Sequence, residues 1–74
     1  MTELDARGLK CPMPIIKVGA AVRQMTAGEE LRVVADDKGF VPDIRAWCAK
    51  TGNDLVSLDE SNPAQLVAVI RKVS

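Results

Sequence analysis

"TAGEELRVVADDKG", residues 26–39, decides how the chain divides. Within it Leu31, Val33 and Ala35 alternate with Arg32 and Val34, the period-two pattern of a strand with one buried face. Gly28 is a stop signal for whatever helix comes before, and "DDKG" at 36–39 breaks the strand. A punctuated strand therefore separates two segments that read as helices. Upstream, between Pro12 and Met25, Ile15, Val18, Val22 and Met25 recur at helical spacing, with Lys17, Arg23 and Gln24 elsewhere on the wheel. Downstream, Asp37 is placed to cap a second helix, Pro42 lies near its start, and Gly52 with Asn53 ends it. The inward stripe of that helix is Phe40 or Val41, Ile44, Trp47 or Cys48, and Thr51.

Working outward, "TELDA" at 2–6 is a short strand, and "DLVSLD" at 54–59 and "QLVAVIRK" at 65–72 are two more. "ESNPA" at 60–64 is a turn, so the last two strands form an antiparallel hairpin. The order is β-α-β-α-β-β. A strand–helix–strand unit is parallel and right-handed. The expected product is an α+β fold: a two-layer α/β sandwich with a mixed four-stranded sheet and both helices on one face. No repeat, linker or low-complexity segment interrupts residues 1–74, so a single domain is expected. If the first two strands are parallel, both helices start at the same edge of the sheet. Cys11 and the pair Asp36–Asp37 then share the edge where functional groups collect in such sheets.

Composition removes several function classes. Ten basic and ten acidic residues cancel, which disfavours direct nucleic-acid binding. The chain has no histidine, so Cys–His catalysis and His-based metal sites are excluded. Two cysteines far apart make neither a disulfide scaffold nor a zinc site. The N-terminal residues carry no apolar signal segment, and no run is long enough to span a membrane. The expectation is a cytoplasmic protein with reduced thiols, no metal and no cofactor. A monomer is expected, although Val34, Val67 and Val69 give the second sheet face some apolar character.

The chemistry-bearing stretch is "ARGLKCPMPIIK", residues 6–17. The reading places Cys11 at the helix N-cap, Pro12 at N1 and Pro14 at N3, where neither proline loses a hydrogen bond. Cysteine is a poor cap, which argues mildly for chemistry. Free N–H groups, the helix dipole and nearby Lys10, Arg7 and Lys17 would favour the thiolate. Such settings move a cysteine pKa from about 8.5 toward roughly 3.5–7.5. Asp36 and Asp37 on the same edge would oppose this, and the sequence leaves the balance open. A lone thiolate without histidine or a neighbouring thiol can still accept a group and hand it on. A persulfide sulfur is the simplest such cargo, since its transfer is thiolate attack on an S–S bond. The competing reading is a helix start with an incidental cysteine, because lone cysteines are usually buried and inert.

"LDARGLKCPMPIIK", "ADDKG", "DIRAWCAKTGNDL" and "VIRK", in this order over some seventy residues, resemble the TusA-like (SirA-type) sulfur carrier family. Gly8, Leu9, Cys11, Pro12 and Pro14 match its GLxCPxP signature position by position. The resemblance implies the same βαβαββ fold and a small cytoplasmic carrier holding sulfur as a persulfide on Cys11. It implies a cysteine desulfurase or rhodanese-like donor and a downstream sulfur-acceptor protein. The destinations are tRNA thiolation, molybdenum-cofactor assembly or sulfur oxidation. The implied activity is of the sulfurtransferase type, stoichiometric rather than that of a stand-alone catalyst. The tRNA-thiolation branch commonly has Glu where this chain has Met13, which removes an anion beside the thiol and weakens the likeness to that relay. Many members have proline where this chain has Arg45; here proline comes earlier, at Pro42.

The remaining candidates have plain structural readings. Gly8 serves a turn that sets Cys11 outward. Arg7, Lys10 and Lys17 are either a solvated face or groups that steer an acidic partner. Asp36 and Asp37 are a turn and a cap, or they orient partners. Cys48 and Trp47 are packing residues. Two other functions stay open: an interaction or regulatory module in which Cys11 is structural, and a thiol switch with a Cys11–Cys48 or intermolecular disulfide.

Overall fold

The computed structural model describes residues 2–73; Met1 and Ser74 of the expected 1–74 domain lie outside them. The elements come in the expected order: β1 (Thr2–Asp5), α1 (Met13–Arg23), β2 (Glu30–Ala35), α2 (Phe40–Thr51), β3 (Asp54–Asp59) and β4 (Leu66–Arg71). β1 lies parallel to β2, with Leu4 opposite Val33, and the Ala6 N–H extends the ladder to the Val34 carbonyl. Parallel neighbours need a crossover, and α1 is that crossover. The strand order is β1-β2-β4-β3, so the last strand sits inside the sheet, antiparallel to both neighbours. A bulge between Leu55 and Ser57 leaves Val56 exposed on the edge strand.

The alternation read in the sequence sets the layers. Leu31, Val33 and Ala35 of β2 and Leu66, Ala68 and Ile70 of β4 are buried in one cluster. Val18 and Val22 of α1 and Phe40, Ile44 and Cys48 of α2 complete the same cluster, so both helices cover one face. Each large side chain buried there contributes roughly 1.5–3 kcal/mol. Trp47 is half-buried against α1; a Cβ on Gly19 would lie 3.9 Å from its indole Nε1, an ordinary contact distance. The other face carries the Arg32–Glu3 ion pair beside half-buried Val34, Val67 and Val69.

Several local expectations are corrected. α1 ends at Arg23 rather than Met25; Gln24 and Met25 fold back onto the Ala21 and Val22 carbonyls and still bury Met25. Gly28 is not the helix stop. At φ +95° it turns the chain into β2, and its N–H donates to the Lys72 carbonyl at 2.7 Å. Asp37 does not cap α2, because the N-cap is Gly39. Gly52, at φ +80°, does close α2 as expected. No helix among the described residues is long and apolar enough to cross a membrane.

Candidate functional site

Where β1 and β2 end, the two following helices begin side by side, and Cys11 lies between them. The helix register differs from the sequence reading by one residue. Pro12 is the N-cap of α1, Met13 is N1 and Pro14 is N2, so Cys11 precedes the cap. The Cys11–Pro12 peptide is cis. Pro14 is fully buried beneath the first turn. The Met13 N–H donates to the Lys10 carbonyl at 2.8 Å, and the Ile15 and Ile16 N–H groups both reach the Pro12 carbonyl. Pro14 has no N–H. The first turn therefore keeps no free donor for the thiol, and the thiolate stabilisation expected from the helix start is not available.

Two aspartates from the β2–α2 loop hold the Cys11 loop instead. The Gly8 N–H, at φ +82°, donates to both carboxylate oxygens of Asp36, at 3.0 and 3.1 Å. The Cys11 N–H donates to Asp37 Oδ2 at 2.9 Å. Gly8, Leu9, Lys10, Asp36 and Asp37 line a small cleft between the loops. The thiol itself donates to Asp43 Oδ2 at 2.6 Å, from one turn inside α2. Gly39 makes this approach feasible: a Cβ there would lie 3.2 Å from Asp37 Oδ2 and 3.3 Å from Cys11 Cβ.

The electrostatic balance left open by the sequence falls on the acidic side. Cys11 is exposed, yet its pKa is raised above the ordinary thiol value. The hydrogen bond to Asp43 is the largest cause, followed by partial desolvation and the charges of Asp43 and Asp37. The cations do not offset them. Arg7 is committed to Asp5 at 2.9 Å, which lowers the Asp5 carboxyl to about 2 and raises the Arg7 guanidinium. Lys10 and Lys17 are exposed and form no ion pair among the described residues.

Sequence reasoning missed Asp43, Gly39 and Ile16. Asp43 and Gly39 act across the sheet edge, and only the shared starting edge of the helices hinted at them. Met13 and Ile16, 41% and 54% exposed, put two apolar side chains one turn apart on the surface at the start of α1. Cys48 is reduced and 5% exposed in the core, where burial raises its pKa. It lies five residues along α2 from Asp43, about 7.5 Å of helical rise. An intramolecular disulfide with Cys11 would require that core to open. Among the described residues no group of three or more His, Cys, Asp or Glu is arranged to hold a metal ion.

Fold and site together define a small two-layer α/β domain that presents one reduced surface thiol, held by acidic groups at the head of its helices. Residues 2–72 match the family described as sulfurtransferase TusA, and the chain belongs to that family. It is 43% identical over 58 residues to the sulfur carrier protein TusA of Allochromatium vinosum, covering 78% of this chain and 76% of that one. It is 39% identical over 69 residues to a Neisseria meningitidis protein provisionally named a sulfur carrier, covering 93% of each chain. A provisionally named sulfur carrier of Aquifex aeolicus is 35% identical over 71 residues, covering 96% of this chain and 36% of that protein. The chain thus spans about a third of the length of that relative, and 30% of a Bacillus subtilis one. The crystal structure of a SirA-like protein from Desulfitobacterium hafniense superposes with a TM-score of 0.83 over the whole of both chains at 21% identity, so the fold is shared.

Proposed function

We propose that this chain is a sulfur carrier whose Cys11 accepts a sulfane sulfur, holds it as a persulfide and surrenders it to an acceptor thiol. The observation that carries the reading is a single exposed thiol, held by both neighbouring loops, in a chain of the TusA family. In loading, the Cys11 sulfur attacks the terminal sulfur of a donor persulfide. The new S–S bond forms as the donor's breaks, and the donor leaves as a thiol that carries the proton Cys11 gives up. Onward transfer is the same exchange in reverse, with the acceptor's sulfur as nucleophile. Neither step consumes an oxidant or needs a metal.

Each supporting residue has a task in this reading. Gly8 and Asp36 shape the loop, and Pro12 and Pro14 start α1 behind the thiol. Asp37 fixes the Cys11 backbone. Exposed Lys10, Lys17 and Arg7 are the groups that would steer an acidic partner, and exposed Met13 and Ile16 would supply apolar contact area. A cysteine desulfurase or rhodanese-like protein is the donor and a thiol-bearing protein the acceptor. The chain works in the cytoplasm as a monomeric, stoichiometric relay component rather than as a stand-alone catalyst. Met13, in place of an acidic residue, favours molybdenum-cofactor assembly or sulfur oxidation over tRNA thiolation as the destination.

The test is intact mass after incubation with a desulfurase and cysteine. One added sulfur is expected, retained in Cys48→Ser and lost in Cys11→Ser. An adduct that persists in Cys11→Ser would overturn the assignment.

A further inference from the structure

Asp43 is the residue in closest polar contact with the Cys11 sulfur, at 2.6 Å, and loading takes away the proton that makes this contact. We propose that Asp43 is a positioning residue that weakens the carrier's hold on its cargo, by stabilising the empty thiol and destabilising the persulfide. The proposal rests on the reading of Cys11 as the sulfur-bearing residue.

The empty and loaded states differ in whether they can donate a hydrogen bond. The empty thiol gives its proton to a carboxylate, a charge-assisted bond. A persulfide is a stronger acid than the thiol it comes from, because two sulfurs share the charge, so at neutral pH the loaded group is an anion. It has no proton for Asp43 and meets two carboxylates, Asp43 from α2 and Asp37 from the β2–α2 loop. Lys10 is the cation nearest in the chain on the Cys11 side, and it is exposed. Gly39 brings the start of α2 against Cys11 Cβ, and the exposure of Cys11 gives the loaded group room on the solvent side.

The consequence is an equilibrium. For exchange with a small thiol R–SH, Cys11–SH and R–S–S⁻ give Cys11–S–S⁻ and R–SH. One S–S bond forms and one breaks, one proton moves from Cys11 to R–S⁻, and charge and sulfur oxidation level are conserved. Because Asp43 favours the left side, sulfur leaves Cys11 more readily than it leaves an ordinary cysteine. A carrier benefits from this bias, since it must give up what it takes.

The experiment equilibrates the full chain with a fixed ratio of glutathione to glutathione persulfide, blocks it with iodoacetamide and reads the loaded fraction by intact mass. Asp43→Asn keeps an acceptor oxygen and loses the charge. Its ratio of loaded to empty chain is expected to rise roughly tenfold, the equivalent of one pKa unit, and Asp43→Glu is expected to return it toward wild type. The pH midpoint of Cys11 alkylation is expected to fall in Asp43→Asn. An equal or lower loaded ratio in Asp43→Asn overturns the proposal and leaves the carrier reading intact. Absence of sulfur on wild-type Cys11 removes both. Should Asp43→Asn fail to fold, wild type is compared with itself in denaturant. A lower loaded ratio in the folded chain supports the proposal, and an equal or higher one overturns it.

Discussion

Cys11 owes its surroundings to residues 26 and 32 positions downstream rather than to its neighbours in sequence. Gly39 shows how tight that arrangement is. Its backbone is ordinary, at φ −66°, yet any side chain there would press on Asp37 and Cys11 together. Gly39→Ala is expected to cost about 1 kcal/mol by overpacking and to slow sulfur loading while the fold persists. Urea denaturation and loading rates measured on the same sample check this. Cys11, Gly8 and the prolines were legible in the sequence because they form a contiguous signature. Asp43 was not, because in sequence it is only an acidic residue in the first turns of a helix, a favourable place for any carboxylate. The thiol's acidity stayed open in the sequence for a related reason. A helix start offers free donors in general, but here Lys10 and Pro12 carbonyls take the ones that exist.

At the scale of elements, periodicity carried most of the information. The stripe Val18–Val22 and the alternation Leu31–Val33–Ala35 are the buried residues observed. Boundaries were less legible where backbone groups find partners beyond the element, as at Met25, Gly28 and Lys72. The β3 bulge was invisible because an alternating strand reads the same with or without an unpaired residue. Phe40 is the element-scale residue that matters most to the site, since it is 1% exposed and opens α2 directly after Gly39. Phe40→Ala is expected to cost about 3–5 kcal/mol. A 74-residue domain has roughly 4–11 kcal/mol in all. Thermal unfolding should therefore show a marginally folded chain; a loss below about 1 kcal/mol would contradict the packing described.

For the whole molecule, the absence of histidine and the equal numbers of acidic and basic residues predict stability that changes little between about pH 6 and 8. Above that range the two thiols act. Both have higher pKa values folded than unfolded, so the folded chain holds their protons more tightly. Their stabilisation is complete below the ordinary thiol pKa and is lost as pH climbs through the raised folded values. Urea midpoints measured across this range should fall above about pH 9, less steeply in Cys48→Ala. The sheet face carrying Val34, Val67 and Val69 lies opposite the helices, so Val67→Lys should leave Cys11 loading unchanged. Residue, element and whole fold meet in the proposed role of Cys11, which carries sulfur in a form it can release. Its most direct test loads the chain with a desulfurase and cysteine, removes the donor, and treats the carrier with cyanide, which takes sulfane sulfur as thiocyanate. One thiocyanate per loaded chain, with the mass returning to that of the unmodified protein, is the expected result; a cyanide-resistant adduct, or thiocyanate still released from loaded Cys11→Ser, would contradict it.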